Sequence, residues 1–131
     1  KVGGSNWATF SDIRMKQDIE DYDDGLDKIL KIHPVTFRYN EKSGYASDKE
    51  YVGIIAQELQ EVAEYMVEPV EKNGEEYLQV DNSAMTYMLI NAVKEQQSMI
   101  KDLKTENEKL KADIEFIKET LLNLQSKAEN E

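Results

Sequence analysis

The chain has 131 residues, a net charge of −11, one histidine and no cysteine. This length suits one domain with an appendage, and the missing cysteine excludes disulfides and thiolate metal sites. The negative charge repels phosphate backbones, so we expect no nucleic-acid partner. No apolar run approaches the roughly 20 residues that cross a bilayer, so we expect no membrane partner. With no cysteine and one histidine we also expect no metal, and we expect no cofactor.

The chain divides into three parts. Residues 1–10 are small and polar and begin with Lys1 rather than Met, so we expect a leader that ends an upstream domain, and a chain that is a piece of something longer. Residues 11–82 alternate short helical and strand-like patterns, which predicts an α+β domain. Residues 83–131 contain neither Pro nor Gly and predict one long helix.

The α+β domain starts with a helical pattern. Apolar residues share one face between Asp18 and Lys31, and Pro34 stops the helix because the residue before proline avoids the α conformation. Alternation over residues 35–39 predicts a strand. Residues 51–56 form an apolar run that predicts a second strand, and residues 57–66 then carry a helical face.

The end of the domain carries a turn signal and a capping signal. Asn73-Gly74 stands between two β-rich runs and is the strongest short hairpin signal. Asp81, Asn82 or Ser83 is expected to cap the long helix. The predicted fold class is therefore α+β, with short antiparallel strands and helices followed by a long C-terminal helix.

The long helix has a heptad pattern from about residue 93. Its a and d positions, which we call the seam, are almost all apolar and have no partner within a small domain, so they predict a parallel coiled coil between copies of the chain. The a positions are Val93, Ile100, Asn107, Ile114 and Leu121, and the d positions are Gln96, Leu103, Leu110, Ile117 and Leu124.

The pattern leaves the number of strands open between three and two. Parallel pairing is supported by opposite charges at g and e of neighbouring chains, namely Glu106 with Lys111 and Asp113 with Lys118. Isoleucine at both a and d, as at Ile114 and Ile117, favours a trimer, whereas Asn107 at a favours a dimer. We expect the trimer; one long helix packed on its own domain is the alternative.

Ser11 and Lys16, five positions apart, are candidates for catalysis. A serine hydroxyl is a weak nucleophile until a base takes its proton, and lysine is such a base only when a cationic neighbour, for which Arg14 is a candidate, or burial lowers its pKa. The alternative interpretation is that both are surface residues without a catalytic role, and the spacing alone favours this alternative. His33, the sole histidine, is expected to be a turn residue beside Pro34 rather than a triad member.

Three sequence stretches, taken together, favour a catalytic role for Ser11 and Lys16. They are SDIRMKQDI, YVGIIAQELQEV and VDNSAMTYMLINAVKEQ. In this order they resemble the C-terminal intramolecular chaperone domain of the peptidase S74 family, found in phage tailspikes, tail fibres, endosialidases and neck appendage proteins. The matching positions are Ser11, Asp12, Arg14, Met15, Lys16, Ile19, Gly53, Ile54, Ile55, Ala56, Gln57 and Glu58. The departures are Ile13 for a basic residue, Met15 for leucine and Gln17-Asp18 for Glu-Asn.

The resemblance implies roles for these residues. Ser11 would be the nucleophile and Lys16 its general base. The cut would lie beside Ser11, in the family usually between Ser11 and Asp12, and the bond itself stays open. The residues expected to support the pair are Arg14, Gln57 and Glu58.

The resemblance also implies a biological role. The domain would form a homotrimer, help the upstream passenger of the same polypeptide to fold, and then release itself by single-turnover autoproteolysis. This would happen in the host-cell cytoplasm during virion assembly, and the cleaved domain would be absent from the mature virion. A trimerisation module without chemistry is the alternative. A third interpretation is release of a membrane-tethered eukaryotic regulator. It is less favoured because no apolar span follows the coil.

Overall fold

The computed structural model describes residues 10–131. The predicted leader therefore lies, apart from Phe10, outside the described residues. In chain order the helices and strands are α1 (Leu26–Ile29), β1 (Pro34–Phe37), β2 (Tyr51–Ile54), α2 (Ala56–Val62), β3 (Val67–Lys72), β4 (Glu75–Val80) and α3 (Met85–Glu129). Short 3-10 turns lie at Ile13–Met15, Glu41–Ser43, Glu64–Met66 and Asn82–Ala84. The predicted α+β class with a long C-terminal helix is confirmed.

The first helix is much shorter than the sequence suggests. The prediction of a helix from Asp18 to Lys31 is wrong over most of its length, because α1 covers four residues. Asp18 has φ of +50°, which a right-handed helix excludes. The carbonyls of Tyr22 and Asp24 accept hydrogen bonds from Asn91 instead of from amides further along their own chain. Hydrogen bonds from α3 therefore replace the local backbone hydrogen bonds that a helix would make here.

Two antiparallel hairpins make up the β structure. β1 pairs with β2, with Pro34 opposite Ile54 and Phe37 opposite Tyr51. β3 pairs with β4 around Asn73-Gly74, both of which have positive φ, +55° and +78°. Positive φ at both central residues defines a type I′ turn, whose twist matches that of the strands. The predicted hairpin is confirmed.

The core lies between α2, the start of β3 and the first turns of α3. The helical pattern predicted over residues 57–66 is realised as α2 followed by a 3-10 turn, and its predicted apolar face points inward. The buried residues are Leu59, Ala63, Met66, Val67, Met88 and Ala92. Asp81 connects the β4 strand to the long helix, since its N–H donates to the Met66 carbonyl and its carboxylate accepts from the Ser83 N–H, both at 2.8 Å.

The long helix is the dominant feature. α3 has 45 residues, which at 1.5 Å per residue is about 68 Å. Beyond Ala92 each of its residues is exposed, and the apolar seam residues are 50–63 % exposed. The chain exposes 11975 Å², whereas a compact protein of 15.1 kDa exposes about 7,100 Å². No helix in residues 10–131 has the length and apolar character of a membrane span.

We expect Leu59→Ala to lower the free energy of unfolding by roughly 2–5 kcal/mol, because it opens a cavity in a core with few members. Leu59 is 1 % exposed. Leu122→Ala is the matched control, since Leu122 is 64 % exposed and lies outside the seam. Urea unfolding followed by tyrosine near-ultraviolet circular dichroism, at one fixed protein concentration, measures both. Equal losses in the two variants would contradict this description of the core.

Candidate active site

The candidate catalytic residues lie on an exposed segment. We call residues 10–24 the arm; all of its residues up to Asp23 are exposed. Its apolar side chains lie in water as well, with Phe10, Ile13, Met15 and Ile19 between 63 and 87 % exposed. The arm therefore gains little stability from packing on its own domain.

A short turn brings Ser11 and Lys16 together. The 3-10 turn at Ile13–Met15 is closed by bonds from the Met15 N–H to the Asp12 carbonyl and from the Lys16 N–H to the Ile13 carbonyl. It folds the chain back so that Lys16 Nζ donates to Ser11 Oγ at 2.9 Å. A spacing of five residues is thus converted into direct contact.

This contact is the geometry that a nucleophile and its base need. A lysine ammonium is a donor, and it accepts the serine proton only in its neutral form. Burial is the usual way to favour that form, and both Ser11 and Lys16 are exposed in the single chain. The pair is positioned but not shielded from water. Within residues 10–131, no group of three Asp, Glu or His side chains is arranged to hold a metal ion.

Asp12 and Arg14 hold the turn. The Asp12 carboxylate accepts from the Arg14 N–H at 2.9 Å, from Nε at 3.0 Å and from Nη2 at 2.7 Å. The side-chain and backbone hydrogen bonds from Arg14 lower the pKa of the Asp12 carboxyl. The same side-chain bond raises the pKa of the Arg14 guanidinium. Arg14 therefore acts on the shape of the turn through Asp12, and its role as a cationic neighbour of Lys16 stays a prediction.

The other two residues expected to support the pair lie at the start of α2. Glu58 Oε2 is 3.2 Å from His33 Nδ1, and this pair lies on the surface. Gln57 is exposed. Among the hydrogen bonds of residues 10–131, none joins Gln57 or Glu58 to Ser11 or Lys16. Their supporting role stays a prediction.

The base of the arm is held by residues of α3 that sequence reasoning missed. Asn91 Nδ2 donates to the Tyr22 carbonyl at 2.6 Å and to the Asp24 carbonyl at 2.9 Å. One turn further, Glu95 Oε2 accepts from the Leu26 N–H at 2.6 Å. The signal in the sequence was a polar pair four residues apart beside the buried Met88 and Ala92.

A second anchor joins the arm to the 3-10 turn that follows α2. Tyr65 donates its phenol proton to Asp24 Oδ2 at 2.6 Å and meets the Tyr22 hydroxyl at 2.5 Å. Burial, with the hydrogen bonds to Asp24 and Tyr22, raises the pKa of the Tyr65 phenol. Lys28 lies 3.6 Å from Asp24 and donates to the Val62 carbonyl at 2.8 Å. These contacts fix residues 22–28 on the domain.

Comparison with known proteins places this arrangement in context. Residues 11–68 match the family model described as "Chaperone of endosialidase", Peptidase_S74. The long tail fiber protein Gp37 of Enterobacteria phage T2 and that of phage K3 are each 32 % identical over 105 residues, which is 79 % of this chain and 8 % of each relative. Gp37 of phage M1 is 34 % identical over 97 residues, 72 % of this chain and 39 % of that protein. The chain thus spans well under half the length of these relatives.

The Asp12–Arg14 interaction gives a pH dependence with a defined sign. Because the folded pKa of Asp12 is lowered, its contribution to the turn is present above about pH 4, the ordinary value for Asp, and is lost as pH falls through the lowered pKa. A carboxyl-carbon NMR titration of a Ser11→Ala chain should show the low midpoint.

The matched control removes the largest cause of the lowered pKa of Asp12, the side-chain hydrogen bonds from Arg14, and keeps the backbone N–H in place. Arg14→Gln should move the Asp12 midpoint upward towards the ordinary value. Asp81, whose pKa is lowered by the Ser83 hydrogen bonds instead, should keep its midpoint. An unchanged Asp12 midpoint in Arg14→Gln would exclude Arg14 as the cause.

Proposed function

The chain carries, over residues 11–68, a domain of the endosialidase-chaperone (peptidase S74) family, and from this premise we propose that it is a self-removing folding chaperone of a phage fibre. In this function three copies assemble through α3 and hold an upstream fibre segment of the same polypeptide in register. The Ser11–Lys16 pair then cuts the chain beside Ser11. The 2.9 Å contact between Lys16 Nζ and Ser11 Oγ, within the family motif, carries the proposal.

The reaction balances with these two residues and water. Neutral Lys16 takes the Ser11 hydroxyl proton as Oγ attacks the carbonyl carbon of the peptide bond beside Ser11. The C–O bond of an ester forms, the C–N bond breaks, and Lys16 passes the proton to the departing amine. Water then hydrolyses the ester to a carboxylate and restores the hydroxyl. No oxidant, metal or cofactor is needed.

The position of the bond decides which chain supplies the nucleophile. Attack by Ser11 Oγ on the carbonyl of Phe10 closes a five-membered ring, which a single chain accommodates. Attack on its own carbonyl, which would cut between Ser11 and Asp12, closes a strained four-membered ring. For that bond the hydroxyl must come from a neighbouring copy, because only a second chain can approach with good orientation.

The exposed seam supports assembly. Leaving an apolar row along α3 in water is unfavourable by about 25 cal/mol per Å² of apolar surface. Asn107, the polar exception among the a positions, favours one register over its neighbours. We propose a parallel trimer, with Glu106 and Asp113 facing Lys111 and Lys118 of neighbouring copies. Lys118 also lies 3.5 Å from Glu115 of its own helix, and both are exposed.

Assembly and cleavage are connected through burial. The arm of a single chain is exposed, with apolar side chains that have no cover. When a neighbouring copy covers the arm, water leaves the Ser11–Lys16 pair and the neutral form of lysine becomes more favourable. Cleavage then reports completed assembly, and it is irreversible. Bringing three fibre chains together beforehand removes much of the entropic barrier to long-range β pairing.

The proposed passenger follows from the relatives, which are long tail fiber proteins. A chaperone for such a fibre would act in the cytoplasm of the infected cell. After the cut it would be left out of the virion. The exposure of Ser11 and Lys16 favours a second candidate, a trimerisation module that never cuts.

Intact mass spectrometry of the chain, with a longer stretch of its natural upstream sequence, separates the two candidates. We expect the wild type to yield a product ending or starting at Ser11. Ser11→Ala should remain uncut because the nucleophile is gone, and Lys16→Arg because a guanidinium does not deprotonate. Both variants should still form trimers. A wild type that forms trimers and stays uncut would exclude the peptidase and leave the trimerisation module.

The seam is tested by two adjacent leucines with nearly equal exposure, 61 % for Leu121 and 64 % for Leu122. Leu121→Asp places a charge at an a position and should weaken assembly at least tenfold, since a buried charge without a partner is unfavourable. Leu122→Asp lies outside the seam and should leave assembly unchanged. Sedimentation equilibrium measures both. A wild-type mass of twice rather than three times 15.1 kDa would replace the trimer with a dimer.

A further inference from the structure

The base of the arm is attached to the turn of α3 where the seam begins. We call Asn91 and Glu95 the clamp. They flank Val93, the first a position, which is 61 % exposed. The clamp residues bind the backbone of the arm and α1, while Val93 points away to the open seam. A single helical turn therefore carries both the attachment of the arm and the start of the assembly surface.

The clamp binds backbone atoms with matched chemistry. The two protons of the Asn91 side-chain amide go to the carbonyls of Tyr22 and Asp24. The Glu95 carboxylate takes the Leu26 N–H at the start of α1, where the first amides of a helix lack partners of their own. The contacts need a donor at position 91 and an acceptor at position 95, so a side chain of similar size that lacks the required group would not replace either residue.

Gly25 shows how closely the arm approaches α3. It is buried, and a Cβ atom placed on it would overlap the Glu95 carboxylate and lie 3.1 Å from Asn91 Cβ. A side chain there would displace the Glu95 carboxylate from the Leu26 N–H and press against Asn91. The close approach thus depends on a residue without a side chain.

Closer to the cleavage pair, the arm makes no comparable attachment. The side-chain hydrogen bonds of residues 10–21 in the described part of the chain are made within the arm itself. The side-chain hydrogen bonds that hold the arm on the domain nearest to the Ser11–Lys16 pair are therefore those at Tyr22 and Asp24. A small rotation at this point would move Ser11, eleven or more residues away, over a large distance.

We propose that Asn91 and Glu95 are positioning residues for self-cleavage: they orient the arm relative to the seam, so that assembly through α3 delivers the Ser11–Lys16 pair to one fixed place on the neighbouring copy. This inference rests on the proposed function. It adds a device by which the assembly helix controls the geometry of the reaction, through the backbone of residues 22–26.

The test compares near-isosteric variants of the full chain. Asn91→Asp removes both donors and sets a carboxylate against two carbonyls, so it should lower the first-order cleavage rate of trimers by roughly tenfold or more. Glu95→Gln keeps an acceptor for the Leu26 N–H and should remain within about threefold of wild type. Asn123→Asp, on the exposed part of α3 outside the seam, is the control for the added charge and should cleave normally.

Gly25 directly follows the arm and lies against Asn91 and Glu95. Gly25→Ala should therefore disturb the same contact and reproduce the defect of Asn91→Asp. The pH–rate profile of the isolated trimers separates positioning from general destabilisation. A misplaced arm shields Lys16 less, so the midpoint of the rate should move to higher pH. A variant that only reduces the folded fraction lowers the whole profile without moving its midpoint. Trimers of Asn91→Asp that cleave at the wild-type rate, or with an unmoved midpoint, would overturn the proposal.

A separate readout distinguishes this proposal from the proposed function. In an uncut Ser11→Ala background, amide hydrogen exchange at Leu26 should speed up in Asn91→Asp and stay unchanged in Asn123→Asp. Faster exchange together with unaffected cleavage would show that the clamp holds the arm but does not position the reaction. A wild type that never cuts would overturn both proposals, while the exchange measurement would still report the clamp.

Discussion

The uncovered apolar seam of α3 is the constraint on which the rest of the structure depends. The six buried residues of the single chain form a small core where α2, the β3–β4 hairpin and α3 meet. Most of the apolar side chains of α3 lie outside that core and remain in water. Because burial of apolar surface is the main favourable contribution to folding, the exposed seam favours the proposed assembly with other copies.

The first turns of α3 have one face that is buried in the domain and one face that is exposed. Met88 and Ala92 point into the domain and are buried, whereas Leu89 and Val93, one residue further on, are 46 and 61 % exposed. The domain therefore packs against α3 without covering the seam. It also places the base of the arm on the same turns, through Asn91 and Glu95. One helix thus carries core residues, the exposed seam and the attachment of the arm.

Local signals in the sequence predicted much of this fold. The Asn73-Gly74 turn and the heptad repeat depend on residues that are neighbours in the chain or along one helix, so their patterns could be read directly. The predicted helix over residues 18–31 was wrong, because the carbonyls of Tyr22 and Asp24 accept hydrogen bonds from Asn91, nearly 70 residues away. The contact of Lys16 with Ser11 followed from a motif whose residues lie in one turn. Glu58 instead pairs with His33, a tertiary contact with no local pattern.

The presence of one arm in every chain has a consequence for the order of events. If three copies assemble and cut themselves as proposed, the passenger stays attached to the chaperone as long as any single arm is intact. The remaining connection keeps the effective concentration of the two parts high, so the first and second cuts change the covalent structure without separating them. In the proposed reaction, departure would be governed by the slowest of three equivalent cuts, and a population of assemblies would hold its chaperones through an initial lag before losing them.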